Sequence, residues 1–178
     1  MRIISGKYRG KRLVAPKKLP VRPTTDMAKE GLFNILNNTF FFDELKVLDL
    51  FAGTGNISYE FASRGCRDVT AVDSHSACVS YIAKISKELE LGIKTVKADV
   101  YKFLKGNDLK FDIIFSDPPY SFMPDDFQKI VELVFAEKLL NEDGLLIIEH
   151  ASQTDLSKLY HFQEGRKYGG STFSFFEW

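Results

Sequence analysis

Val47-Leu48-Asp49-Leu50-Phe51-Ala52-Gly53-Thr54-Gly55-Asn56 is the stretch on which the fold turns. An apolar run broken by a single acid leads into Gly-x-Gly and then into a helical pattern, so it reads as a buried strand, a tight turn and a helix start. Glycines at such a turn permit backbone that other residues resist, and close approach of a ligand. The dinucleotide-binding fingerprint is not met, because Ser58 stands where its third glycine belongs. Alone, the Gly-x-Gly pair fits any strand-to-helix turn. Asp49, four residues before Gly53, shifts the reading toward a ligand site.

Outward from this stretch, short apolar runs alternate with helical ones. Strands are expected at 46–51, 68–73, 93–97, 111–116 and 144–149, with helices at 56–64, 75–90 and 124–137. In the second helix Cys78, Ile82, Ile85 and Leu89 recur at helical spacing. Two further segments, 159–163 and 172–176, read as a closing antiparallel pair around Gly165, Gly169 and Gly170. Strand and helix alternating this regularly imply a doubly wound, mostly parallel α/β sheet with its ligand at the carboxyl ends of the strands. Asp73 ends the second strand, where a carboxylate can accept both hydroxyls of a ribose. Asp99 follows the third and is placed to hold an adenine amino group, although an N-cap uses the same residue type. Three acids at successive strand ends, without a Walker lysine, suit a neutral or cationic adenosine ligand better than a phosphorylated one.

Asp117-Pro118-Pro119-Tyr120 follows the buried run at 111–116. The two prolines fix the backbone, so the Asp117 carboxylate and the Pro118 carbonyl become adjacent acceptors. Such a pair can grip the hydrogens of an exocyclic base amine and orient its lone pair, which makes positioning the source of catalysis. Tyr120 offers a face on which an extruded base can stack.

The chain has 178 residues, with 24 Lys plus Arg against 24 Asp plus Glu, a formal net charge of zero. That zero is partitioned. Residues 1–25 hold eight basic side chains and no acid, and the other 153 hold 16 basic and 24 acidic ones. A basic arm on an acidic globule follows, and Arg9, Lys11, Arg12, Lys17, Lys18 and Arg22 are its candidate phosphate contacts. Within it, short strands around Gly6 and Gly10 predict a hairpin, prolines at 16, 20 and 23 predict an extended tether, and Asp26 is expected to cap a lead-in helix at 26–38. The domain reading is therefore 1–25 for hairpin and tether and 26–178 for the remainder, with its core at 45–178. The length suits one domain plus a small appendage. No apolar run approaches the ~20 residues of a membrane span and no apolar signal region follows the N-terminus, so a cytoplasmic location is expected. Cys66, Cys78 and the three scattered histidines have no metal-ligand spacing, and no metal is expected.

In this order the motifs resemble class I S-adenosylmethionine-dependent methyltransferases, and Asp117-Pro118-Pro119-Tyr120 resembles the motif of enzymes that methylate amino groups in nucleic acids. The segment Arg22-Pro23-Thr24-Thr25-Asp26-Met27-Ala28-Lys29-Glu30-Gly31-Leu32-Phe33-Asn34-Ile35-Leu36 narrows the likeness to the bacterial 16S rRNA guanine-(N2)-methyltransferase family of the RsmD type. The resemblance implies a Rossmann-like, seven-stranded, mostly parallel sheet with an antiparallel closing hairpin, plus the small basic N-terminal hairpin. It implies methylation of a guanine N2 amine in 16S rRNA, within an assembled or assembling small subunit and at no membrane. By position, Asp49, Ala52, Gly53, Gly55, Asp73 and Asp99 would bind S-adenosylmethionine. Asp117, Pro118 and Tyr120 would handle the target base, and Arg22, Thr24 and Thr25 would border the site. Lys29 departs from the arginine usual there. Two alternatives remain: methylation of adenine N6 or cytosine N4, and an RNA-binding assembly factor without chemistry. A DNA substrate is disfavoured by the lack of a separate target-recognition domain within this length.

Overall fold

The computed structural model of the protein describes residues 1–16, 19, 24–106 and 108–178. Seven strands form one sheet: β1 (Lys46–Leu50), β2 (Asp68–Asp73), β3 (Lys94–Lys97), β4 (Phe111–Ser116), β5 (Leu140–Ala151), β6 (Phe162–Tyr168) and β7 (Ser171–Phe176). Their order is β3-β2-β1-β4-β5-β7-β6, parallel except for β7, which runs antiparallel to both neighbours. Among the described residues, five α-helices accompany them: α1 (Asp26–Asn37), α2 (Asn56–Ser63), α3 (Ser76–Glu88), α4 (Val100–Lys105) and α5 (Pro124–Ala136). The direction of strand succession reverses between β1 and β4, and that is where a crevice opens at the carboxyl edge of such a sheet.

Period-2 alternation divides the core between the two faces. Val47, Ile113, Phe115 and Ile147 pack with Leu32 and Phe33 of α1, Phe61 of α2 and Ile82 of α3. Leu48, Leu50, Ile114, Leu146 and Ile148 pack with Leu104 of α4 and Ile130 and Val134 of α5. The same parity sets the acids. Asp49 lies opposite Phe115, and Phe115 lies opposite Ile147. Asp117 and Glu149, each two residues further on, therefore emerge side by side on the face that carries Asp49.

The elements depart from the sequence expectation at several points. Thr25, not Asp26, caps α1, with its hydroxyl accepting from the Ala28 amide. Helix α4 was not expected; Asp99 is its cap, and Val100 and Leu104, one turn apart, are its buried residues. Strand β5 begins at Leu140, ahead of Gly144, and its register against β4 shifts between Phe111 and Ile113. Gly165 lies inside β6, and the turn into β7 falls at Gly169 with φ 61°. At the N-terminus, the expected hairpin pairs over a short stretch: Arg2 lies opposite Arg12, with Ile3 N–H donating to the Lys11 carbonyl at 2.9 Å and Leu13 N–H to the Met1 carbonyl at 3.0 Å. Beyond it the amides of Ile4 and Ser5 donate to the Glu60 carboxylate at 2.8 and 3.0 Å.

That carboxylate docks the N-terminal segment onto α2. Glu60 and Lys29 are both fully buried, 3.3 Å apart, and Arg64 closes on the other Glu60 oxygen at 2.9 Å. Ile3 and Leu13 complete the contact as members of the core. Gly6 has φ 80°, and a Cβ there would lie 1.8 Å from the Ser63 carbonyl oxygen, so the docked path demands glycine.

Candidate active site

A cavity of about 250 Å³ opens at the carboxyl ends of β1, β2 and β4. The turn after β1 shapes one wall. Phe51 sits at φ 56°, left-handed backbone that is uncommon for an aromatic residue, followed by Gly53 at 54° and Gly55 at 78°. The turn is tied to β2 by Ala52 N–H to the Val72 carbonyl at 3.0 Å and by Gly53 N–H to Asp73 Oδ2 at 2.9 Å. Asp73 Oδ1 accepts from the His75 amide at 2.8 Å, which holds the carboxylate between the turn and the start of α3. A Cβ on Gly55 would come within 2.8 Å of the Tyr59 ring, so this glycine serves packing rather than lining.

Asp49 is 2% exposed and accepts from the Ser58 amide and hydroxyl. Burial pushes its carboxyl up to about 7 against those two donors, with the charge of Asp73 adding to the rise. Asp117, partly buried, is pushed well above the usual carboxylate range by burial, then by Glu149 and Asp49. Burial also raises Glu149, opposed by hydroxyls of Thr24 and Ser171. Buried on one face, the three carboxyls cannot all ionise freely, so the site suits a cation.

This burial of carboxyls makes stability depend on pH. Asp49 titrates near 3.8 when unperturbed and near 7 when folded. Between those values the folded protein binds the extra proton, so stability falls as pH rises and the contribution is gone above pH 7. Asp117 and Glu149 act with the same sign. Asp49→Asn can still accept from Ser58 but never ionises, and thermal melts at pH 5.5 and 8 are expected to show a shallower loss than in the parent. An unchanged loss would remove Asp49 from this linkage.

The structure brings eight of the seventeen expected site residues to one cavity. Asp49, Ala52, Gly53, Asp73, Asp117, Pro118, Tyr120 and Thr24 all line the cavity. Thr24 donates to Glu149 Oε2 at 2.6 Å and accepts on its carbonyl from the Asn56 amide side chain at 3.0 Å. Tyr120 is 74% exposed, which leaves its ring free to receive a base. Asp99 does not join the lining; its carboxylate accepts from the Lys102 amide at 3.0 Å. Thr25 is committed to its helix cap, and Arg9, Lys11 and Arg12 are exposed on the N-terminal segment away from the lining. Lys17, Lys18 and Arg22 lie outside the described residues. Phe51, Asn56, His75 and Phe115 also line the cavity, beyond the residues expected from sequence. Asn56 was legible as the first residue after the Gly-x-Gly; the other three carry no chemical signal in sequence. No lysine or arginine is among the described lining residues, and no cluster of His, Cys, Asp or Glu among the described residues could hold a metal. No described helix is long and apolar enough to cross a membrane.

Similarity to known proteins spans the chain. The model of the family described as "Conserved hypothetical protein 95" matches residues 1–177. The Bacillus subtilis (strain 168) protein YlbH, named provisionally as an rRNA methyltransferase, is 34% identical over 168 residues, covering 88% of this chain and 85% of that protein. Ribosomal RNA small subunit methyltransferase D of Escherichia coli (strain K12) is 29% identical over 157 residues, covering 88% and 77%. The solved structure of a hypothetical protein from Thermus thermophilus superimposes with a TM-score of 0.86 at 26% identity, covering 100% of this chain and 99% of that one.

Proposed function

The chain belongs to the conserved hypothetical protein 95 family, and from that premise we propose that it is an S-adenosylmethionine-dependent methyltransferase of ribosomal RNA, acting on the exocyclic N2 amine of a guanine in 16S rRNA. The observation that carries the reading is the placement of Asp117-Pro118-Pro119-Tyr120. It lines both the 250 Å³ cavity and a smaller neighbouring cleft that Glu149, Phe122 and Phe127 complete. One side suits a cofactor, the other a base, with two acceptors between them.

The donor set fits the cofactor. The acidic lining of Asp49, Asp73 and Asp117, with no lysine or arginine among the described lining residues, suits a ligand bearing a sulfonium and an ammonium. Asp73 retains lone pairs for ribose hydroxyls beyond those used by Gly53 and His75. When bound, S-adenosylmethionine supplies an electrophilic methyl group. The protein's own part is to hold the amine: the Asp117 carboxyl and the Pro118 carbonyl orient its hydrogens, and Tyr120 stacks the ring. Neither adenine nor cytosine is excluded by that grip alone.

The substrate is most naturally an assembled or assembling small subunit in the cytoplasm, with residues 1–25 as an RNA-tracking arm on the methyltransferase domain at 26–178. Arg9, Lys11 and Arg12 are exposed on the docked segment, so their simultaneous replacement by Gln is expected to weaken RNA binding and reduce the salt slope by about 0.7–0.9 for each phosphate no longer engaged. Cofactor affinity should stay near parental. An unchanged slope would remove the arm from RNA binding. The function itself is tested by mass-spectrometric mapping of small-subunit RNA from a deletion strain, before and after treatment with the purified protein. An N2-methylguanine restored at one position supports the reading; restoration of no methyl group would overturn it.

A further inference from the structure

The cleft beside the cavity is lined by Asp117, Pro118, Tyr120, Phe122, Phe127 and Glu149. Glu149 is the one of these whose role the grip on the amine leaves open. It is 6% exposed at the carboxyl end of β5, beside Asp117 by register. Its environment differs from that of the other buried carboxylates. Glu60 accepts two backbone amides and pairs with two cations, and Asp49 accepts an amide and a hydroxyl. Among the described residues Glu149 accepts only hydroxyls, from Thr24 and Ser171, and no Lys or Arg pairs with it. His150, its neighbour, also lines the cleft, with its Nε2 engaged by the Ser174 hydroxyl at 2.7 Å. A carboxylate offers about four acceptor positions, so two hydroxyls leave capacity facing the cleft.

The chemistry of the bases says what that capacity can select. In guanine the ring position next to the amine, N1, carries a hydrogen. In adenine and cytosine the ring nitrogen next to the amine is a bare acceptor. We propose that Glu149 is the residue that selects guanine, accepting the N1–H of the target base while Asp117 and Pro118 hold its N2 amine. The inference rests on the guanine-N2 reading above and supplies its missing discriminator. An adenine or cytosine amine in the same grip would set a ring lone pair against the carboxylate, leaving both buried and unpaired. Burial raises the Glu149 carboxyl, and the hydroxyls of Thr24 and Ser171 oppose that rise. Thr24 thus acts as a positioning residue: Asn56 fixes its carbonyl, and its hydroxyl fixes one Glu149 oxygen.

The test uses the wild-type protein first. Synthetic RNA containing the mapped target, alone or assembled into small subunits, is prepared with guanine or with 2-aminopurine at that position. 2-Aminopurine keeps the N2 amine but presents a bare N1. The expected result is that wild-type protein methylates the 2-aminopurine RNA about 10–100-fold more slowly, with a matching loss of affinity in a fluorescence titration of the same base. In Glu149→Gln the amide nitrogen can donate to that bare N1, so the preference should fall to within a few fold while calorimetric cofactor affinity stays near parental. Equal wild-type rates on both RNAs, or a Glu149→Gln protein that keeps the full preference, would overturn the assignment. A wild-type product on adenine or cytosine would overturn the guanine reading itself, and is recognised separately because the guanine RNA would then gain no N2-methyl group.

Discussion

An Asp117→Ala protein is expected to lose about a thousandfold or more in methylation rate while its affinity for S-adenosylmethionine changes by no more than about tenfold. The asymmetry follows from where Asp117 stands. It lines the cofactor cavity as one of many residues, but it lines the neighbouring cleft as one of two acceptors that can orient an amine. Alanine leaves the Pro118 carbonyl alone, and an amine held by one hydrogen can rotate its lone pair away from the methyl group. Burial, then the nearby Glu149 and Asp49, push the Asp117 carboxyl well above the usual range, so its negative charge is disfavoured and what it offers the amine is an acceptor oxygen. Asparagine presents the same oxygen on the same frame. Asp117→Asn is therefore expected to retain activity within roughly tenfold of the parent, a small loss beside that of alanine. Single-turnover rates with saturating cofactor, paired with calorimetry, separate chemistry from binding. An alanine variant that binds cofactor and methylates at the parental rate would end the proposed role.

What could be read in the sequence was set by interactions between residues close in the chain. Asp49, Gly53 and Gly55 lie within one strand and its turn, and Asp117 to Tyr120 within four residues, so their types and spacing carry the chemistry. The alternation of strands and helices is likewise local, and it delivered the parallel sheet. The partnership of Thr24 with Glu149 joins residues 125 apart and depends on where α1 is packed, which no spacing encodes. Asp99 shows the opposite difficulty. An acid after a strand serves a ligand or caps a helix with the same atoms, and here the Val100 and Leu104 pair one turn apart was the sign of the helix. Lys29 was legible only as a departure from the usual arginine, and its burial was not, because desolvating a lysine is so costly that burial requires partners from elsewhere in the chain.

Those partners make Lys29 the second position of large expected effect. Its ammonium donates at 2.6 Å to the Arg2 carbonyl and at 2.8 Å to Asn56 Oδ1, and lies 3.3 Å from Glu60 Oε2. Three hydrogens meet three acceptors, one each from the N-terminal segment, the start of α2 and its middle. A planar guanidinium is not needed for this arrangement, since the acceptors converge on a point rather than along an edge. Lys29→Ala leaves the Glu60 charge short of one cation in a buried site and orphans a backbone carbonyl and an amide oxygen. The expected loss is about 3–5 kcal/mol, and roughly 10 °C in melting temperature for a domain of this size. The exposed Arg2–Asp26 pair, 3.1 Å apart, is the control. Removing it through Asp26→Asn should cost no more than about 1 kcal/mol. The two are compared by urea denaturation, and equal losses would refute the weight placed on Lys29. The Lys29 effect should also reach the active site. Asn56, released on one side, holds Thr24 on the other, and Thr24 holds Glu149. At a temperature where Lys29→Ala remains folded, its preference for guanine over 2-aminopurine should therefore weaken along with its stability, whereas Asp26→Asn keeps both.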